Sequence, residues 1–438
     1  MSSSTTFKIA AAAFAVAGAF ASTAHAAGFM LTEQTAGSLG RAYAGVGVDG
    51  TDVAGVYYNP ATMTLHPGTN IQAGFVGIGL NLDYAGKDGS SENGRYKSQA
   101  IPHGYITHQI NDSTWVGLSM TVPFGMGTDY NNDWGYANRG ISATILTFDF
   151  NPSIAWKVNE KFSIGAGVSL QYASADLKQR VGLASTEMGA ITAESEIDAD
   201  SWAWGFNVGV MWSPVENLRF GASYRSKVKH DAEGDLRIKD PRLMTAESGK
   251  WGSSLPPEAV AGNPMLAAVL GSHEGYATVT APAWAMASVA WDVNDLLSLY
   301  ASFRWTDWSS FDELNITSDM PGVGSTVTNK WKDTYLGSLG ADLRLTDWWT
   351  LRGGIAYESS PISDPSYRTA IIPDADRWWF AIGSSFKLTD QLIWDVSFAH
   401  LHGVHERNLY AAEGSNEKVG RFRKLDAYLL GTQLQYRF

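Results

Sequence analysis

The stretch Phe162-Ser163-Ile164-Gly165-Ala166-Gly167-Val168-Ser169-Leu170-Gln171-Tyr172 puts an apolar residue at every even position and a small or polar one between. Period two with one polar face is a strand whose two sides meet different surroundings. The pattern recurs in Leu146, Phe148, Phe150, Ile154 and Trp156 before it, and in Leu218, Phe220, Ala222 and Tyr224, then Leu392, Trp394, Val396 and Phe398, after it. Such strands also build soluble sandwiches, so the connections must decide the fold.

The connections fall into two kinds. Asn111-Asp112-Ser113, Asn159-Glu160-Lys161, 213–217, 292–295, Thr346-Asp347 and Thr389-Asp390 are turn-sized, whereas 85–97, 125–140, 178–196, 229–276, 307–330, 358–376 and 402–423 are long. Six short turns alternating with seven long loops make fourteen strands. An even number of strands, with short turns on one side and long loops on the other, is the bacterial outer-membrane pattern. A bilayer core gives the backbone no water, so strands cross it only in a closed sheet. The expected fold is all-β: a 14-stranded antiparallel transmembrane β-barrel over residues 68–438.

Composition agrees with this reading. The chain holds 17 Trp, 18 Tyr, 18 Phe and 45 Gly, which suits aromatic girdles and closely packed strands. Trp156, Trp212, Trp291, Trp348, Trp349 and Trp394 lie beside the turns, and Trp305, Trp308, Trp331, Trp378 and Trp379 near the loop ends, as two interfacial belts require. The last strand carries Tyr428, Leu430, Leu434, Tyr436 and Phe438 on one face, a terminal aromatic stripe for the outer-membrane assembly machinery to read.

Residues 1–26 carry Lys8, an apolar run over 9–21, and Ala24-His25-Ala26, the ordered parts of a cleavable signal peptide. Cleavage there would start the mature chain at Ala27 and, by removing Lys8, take the formal charge from −12 to −13. Acidity argues against nucleic acid as a partner. There is no cysteine, which excludes a disulfide framework and a lipid-anchored start. Residues 27–67 lack strand alternation, yet Phe29, Leu31, Leu39, Tyr43, Val53, Tyr57, Tyr58 and Leu65 are too apolar for a solvated tail. They are expected to fold as a hatch, a plug inside the lumen.

At this point the sequence resembles a known family. Ala27-Gly28-Phe29, then Leu39-Gly40-Arg41-Ala42-Tyr43-Ala44-Gly45, then Asn59-Pro60-Ala61 look like the N-terminal hatch of the long-chain fatty acid outer-membrane transporters, the FadL/TodX family. Further similarities follow in order at Pro123-Phe124-Gly125-Met126-Gly127-Thr128, Asn151-Pro152-Ser153, Trp204-Gly205-Phe206-Asn207, Tyr224-Arg225-Ser226, Lys332-Asp333-Thr334-Tyr335, Gly353-Gly354-Ile355 and Ile372-Pro373-Asp374-Ala375-Asp376-Arg377. The resemblance implies a monomeric barrel of the outer membrane of a Gram-negative bacterium. It also implies passive uptake of a hydrophobic small molecule, most of all a long-chain fatty acid, with release to membrane lipid through an opening in the wall.

The resemblance assigns residues as well. Phe29 matches the aromatic that reaches the interior ligand site, Asn59, Pro60 and Ala61 the hatch motif, and Lys332 the basic partner of a ligand carboxylate; Arg180 is the second basic candidate. An apolar pocket needs such a cation to hold a carboxylate. The wall opening is expected at a kink in the third strand, where Pro123 and Gly125 weaken the ladder. In the longest loop, Ala259, Val260, Met265, Leu266, Val269 and Leu270 suit a short amphipathic helix interrupted by Pro264.

Two other motifs are set aside. Gly45-Val46-Gly47-Val48-Asp49-Gly50 has dinucleotide spacing but no strand before it, so no cofactor is expected. His400, His402 and His405 lie where a strand runs into an outer loop and are read as rim residues, with no metal expected. The chain has no G-x-S-x-G elbow, which argues against a lipid-modifying enzyme. The hatch argues against an open porin, and uptake of aromatic hydrocarbons is the nearest rival.

Overall fold

A computed structural model describes residues 28–87, 89, 91–92, 99–245, 250–320 and 324–438. The expected signal peptide and Ala27 lie outside the described residues. The barrel strands are β1 (Thr69–Gly86), β2 (Gln99–Asn111), β3 (Thr114–Thr121, resumed at Gly125–Asp129), β4 (Ser142–Asn159), β5 (Phe162–Thr186), β6 (Gly189–Val215) and β7 (Leu218–Arg225 with Val228–Met244). Then come β8 (Gly271–Ala281 with Trp284–Asp292), β9 (Leu297–Thr306), β10 (Thr334–Thr346), β11 (Trp349–Glu358), β12 (Arg377–Lys387), β13 (Leu392–Gly403) and β14 (Lys418–Arg437). Each pairs antiparallel with its neighbours, and β14 closes on β1 from Asn70 opposite Arg437 to Gly86 opposite Gly420.

The alternation read in the sequence has a definite sense. On β6, Trp202, Trp204, Phe206, Val208, Val210 and Trp212 are 39–68% exposed, whereas Asn207 of the same strand, Ser169 and Gln171 of β5 and Asn151 of β4, on the opposite face, are buried. Apolar side chains outside and polar ones inside invert a soluble protein, and so long an apolar stripe is stable only against lipid.

Three expectations change. The stretch 178–196 is not a loop: β5 and β6 continue outward to a turn at Glu187-Met188, and most of 229–244 is likewise strand. This extension is polar and therefore loop-like in composition, but cross-strand ion pairs hold it, Lys178 to Glu194 at 2.9 Å and Lys239 to Glu194 at 3.4 Å. Of the outer tryptophans, Trp308, Trp331 and Trp379 are buried inside the barrel and leave the girdle to Trp378 and its neighbours. Trp378 and Trp379 are consecutive on β12, so only one can face lipid.

The loop helix is two helices, Pro257–Ala261 and Pro264–Val269. Pro264 opens the second rather than breaking the first, because Asn263 caps it by accepting a hydrogen bond from Leu266 N at 3.1 Å.

Candidate functional site

Residues 28–65 are almost wholly buried and are bonded to strands all round the inner wall. Arg41, fully buried, pairs with Asp49 of its own segment and with Asp342 of β10 at 2.9 Å, and lies 4.0 Å from the Tyr300 ring centroid on β9. Ala36 N donates to Gln433 Oε1 of β14 at 2.8 Å, and Arg352 of β11 reaches Gly37 O at 3.0 Å. Asn59 uses its whole amide: Nδ2 donates to Gly47 O at 2.8 Å and to Val210 O of β6 at 3.0 Å, while Oδ1 accepts from Ala61 N at 3.1 Å. Pro60 then starts the 3₁₀ turn Pro60–Leu65. Only glycine fits opposite, since a Cβ at Gly209 would overlap Asn59 Oδ1.

The third strand is broken at 122–124. Inward of the break, β2 and β3 pair from Gly104 opposite Met120 to Asn111 opposite Thr114. Beyond it, Gly125–Asp129 pairs with β4, and Gln99–His103 with β1, but no ladder joins these two pieces among the described residues. The wall therefore has an unpaired seam. Pro123 has no N–H to offer a ladder, which gives the interruption a local cause.

The N-terminal residues cover this seam. Leu31 N donates to Pro123 O and Gly125 N to Phe29 O, both at 2.8 Å, forming a short antiparallel bridge of Met30 with Phe124. Gln34 acts as a substitute peptide: its Nε2 donates to Val122 O at 2.6 Å and its Oε1 accepts from Val122 N at 3.0 Å. Tyr105 of β2 donates to Gln34 O, tying the patch to the far side of the seam.

Phe29 is buried in an aromatic box. Its ring centroid is 4.8 Å from Trp308, 5.2 Å from Phe311, 5.9 Å from Phe124 and 6.2 Å from Trp331. Phe311 also lines a small cavity of about 20 Å³, walled by Met126, Leu177, Ile197, Val279, Ile372 and similar side chains, none of them polar. Met126 follows Gly125, so this apolar cavity adjoins the seam.

The two basic candidates are placed differently. Arg180 is buried on the outward extension of β5, three residues beyond Leu177, and donates to Asp240 Oδ2 at 2.7 Å and to Asp240 O at 3.2 Å. Lys332 follows Trp331 of the box; its side chain is exposed and its backbone N–H donates to Pro361 O at 2.8 Å. No hydrogen bond or ion pair among the described residues joins Arg180 to Lys332.

Sequence reading gave no role to a charged cluster beside the box. Gly28 N donates to Asp374 Oδ2 at 2.7 Å, Arg377 pairs with Asp374 at 2.6 Å, and Arg304 pairs with Glu358 at 2.9 Å. Burial pushes Asp374 up to about 6, with Arg377 and the Gly28 N–H pulling the other way. The only signal was Ile372-Pro373-Asp374-Ala375-Asp376-Arg377, quoted for resemblance alone.

Fourteen closed strands, apolar outside, around a lumen occupied by a bonded N-terminal segment, define a plugged barrel of the outer membrane. The chain belongs to the outer membrane protein transport protein family (OMPP1/FadL/TodX), whose model matches residues 17–438. It is 29% identical over 460 residues to the long-chain fatty acid transport protein of Salmonella typhi, with 100% of both chains covered. With that of Escherichia coli (strain K12) it shares 28% over 470 residues, again covering 100% of both. The crystal structure of a Pseudomonas aeruginosa FadL homologue matches with a TM-score of 0.82 at 26% identity, covering 94% of this chain and 100% of that one. The Pseudomonas putida toluene transporter TodX matches with a TM-score of 0.72 at 16% identity, covering 93% and 99%, a likeness of fold alone.

Proposed function

We propose that this chain takes up hydrophobic molecules passively across the outer membrane, long-chain fatty acids foremost, and releases them sideways through the seam in β3. The observation that carries this reading is the adjacency of an apolar cavity, the Phe29 box and an unpaired stretch of wall. Residues 27–67 act as the hatch and 1–26 as the export signal, leaving 68–438 as the conduit of a monomer. The route spares the ligand a water-filled channel, and no step calls for a cofactor or catalysis.

Arg180 and Lys332 meet the head group in turn, the exposed Lys332 at the entrance and the buried Arg180 beyond Leu177. A cavity wall without polar side chains also suits uptake of aromatic hydrocarbons, the second reading. In that case both basic residues are incidental.

Gly125→Val tests the exit. A Cβ there stands 2.9 Å from Leu31 Cδ1, a movable methyl, so the barrel should still assemble while the covering segment is wedged against the seam. Radiolabelled oleate uptake should fall several-fold with equilibrium binding retained. A correctly inserted variant that transports at the parental rate would place the exit elsewhere.

A further inference from the structure

On the outward face of β13 and β14, three side chains converge that neither the cavity nor the seam uses. His400 and His402 are two residues apart on β13, so strand alternation sets both rings on one face, with centroids 6.0 Å apart. β14 lies alongside, pairing His402 with Asp426 and His400 with Tyr428. Each of His400, His402 and Asp426 offers one ligand atom, and the three atoms lie within 4.8 Å of one another. We propose that these residues bind a first-row divalent transition-metal ion, Zn²⁺ foremost, on the lipid-facing side of the barrel near its outer rim.

The donor set selects the metal. Two imidazole nitrogens and one carboxylate oxygen suit Zn²⁺, Ni²⁺ or Cu²⁺, whereas Mg²⁺ and Ca²⁺ call for oxygen ligands throughout. Three protein ligands leave a further position for water. The rings are already held: His400 stacks on Tyr428 with centroids 4.8 Å apart and planes 9° from parallel, and His402 Nδ1 lies 2.8 Å from Asp426 Oδ1. His400 Nε2 is buried without a hydrogen-bond partner, the lone-pair donor a metal would engage. Two of the donors are already in contact and the third lies within 4.8 Å of both, with the two strands in register.

A nearby pair supplies the contrast. His405 Nδ1 lies 2.8 Å from Asp376 Oδ2, but the three-donor grouping does not include it. His405 is an ordinary hydrogen-bonded rim histidine and serves as the control.

The test uses the full mature chain in detergent, free of a polyhistidine tag and stripped by chelator, titrated with Zn²⁺ by calorimetry and with Cu²⁺ by electron paramagnetic resonance. One saturable site per chain is expected, with Cu²⁺ coupled to two imidazole nitrogens. His400→Gln and His402→Gln should each reduce the coupling to one nitrogen, and these and Asp426→Asn should weaken Zn²⁺ by about tenfold or more. His405→Gln should match the parent. Heat-modifiable migration on gels confirms that each variant is a folded barrel. Absence of saturable binding at micromolar Zn²⁺, or binding lost with His405→Gln and kept in His400→Gln, would overturn the proposal.

Discussion

Gln34→Leu removes the side chain that stands in for a missing strand while keeping its bulk. In the parent, Gln34 satisfies both backbone groups of the buried Val122, at 2.6 Å to the carbonyl and 3.0 Å to the N–H, and also donates to Leu31 O at 3.1 Å. Leucine can offer none of these bonds. Leaving a buried donor or acceptor unpaired costs about 1–3 kcal/mol, so the two Val122 groups together cost roughly 2–6 kcal/mol. Strands elsewhere keep their ladders, so the cost falls on the closed state of the seam. At 1.4 kcal/mol per tenfold, even about 2 kcal/mol raises the open population some 30-fold. Hydrogen exchange of the protein in nanodiscs reads this directly. Amides of 29–31 and 122–125 should exchange at least about tenfold faster in the variant, a cautious reading of that range, while those of β6 stay protected. Unchanged protection at the seam would refute the idea that Gln34 seals it.

Asn59→Ala should loosen the hatch without touching the seam: three hydrogen bonds vanish, Gly47 O, Val210 O and Ala61 N lose their partner, and about 2–4 kcal/mol of anchoring goes with them. Sensitivity to large antibiotics should rise, with exchange at 122–125 unaltered. Arg180→Ala should weaken fatty acid binding more than toluene binding, by about 1.5–3 kcal/mol for a lost charge-assisted bond, and Lys332→Ala should do so less because water screens the exposed ammonium. Equal losses for both ligands in direct binding assays would favour the hydrocarbon reading. Burial raises Asp374 to about 6 from an ordinary carboxylate value, so the folded protein holds a proton that the unfolded chain has released. That contribution favours the fold at low pH and is lost as pH rises through 6. Asp374→Asn should flatten the stability profile between pH 4 and 7, as followed by the heating needed to unfold the barrel on gels.

What was legible in the sequence is what depends on short-range pattern. Strand number followed from period two and turn size, because each acts on its own neighbours along the chain, whereas the place of the wall opening at Pro123 and Gly125 came from the resemblance. The length of β5 to β8 was not legible, since Lys178, Glu194 and Lys239 read as loop until their cross-strand pairing is known. Trp308 and Trp331 looked like girdle residues, because which way they face is settled by the chain's turn inward after β9 to meet Phe29. Asn59-Pro60-Ala61 was visible as a motif, but its anchor on Val210 is 151 residues away. Gly28 and Asp374, 346 residues apart, each lay in a stretch quoted for the resemblance, but nothing local joined them.

The central claim is that ligand leaves when Phe29 to Leu31 move off the seam, and a reversible tether tests it most directly. The chain has no cysteine of its own, so Leu31→Cys with Gly125→Cys adds one unique thiol pair, at a place where a side chain on residue 125 would meet that of Leu31, its Cβ 2.9 Å from Leu31 Cδ1. Oleate uptake by cells carrying this variant should be near parental under reducing conditions, fall sharply once the disulfide forms, and recover on reduction. Parental uptake with the disulfide fully formed would contradict the account, because the ligand would then be leaving by a path that the N-terminal segment does not close.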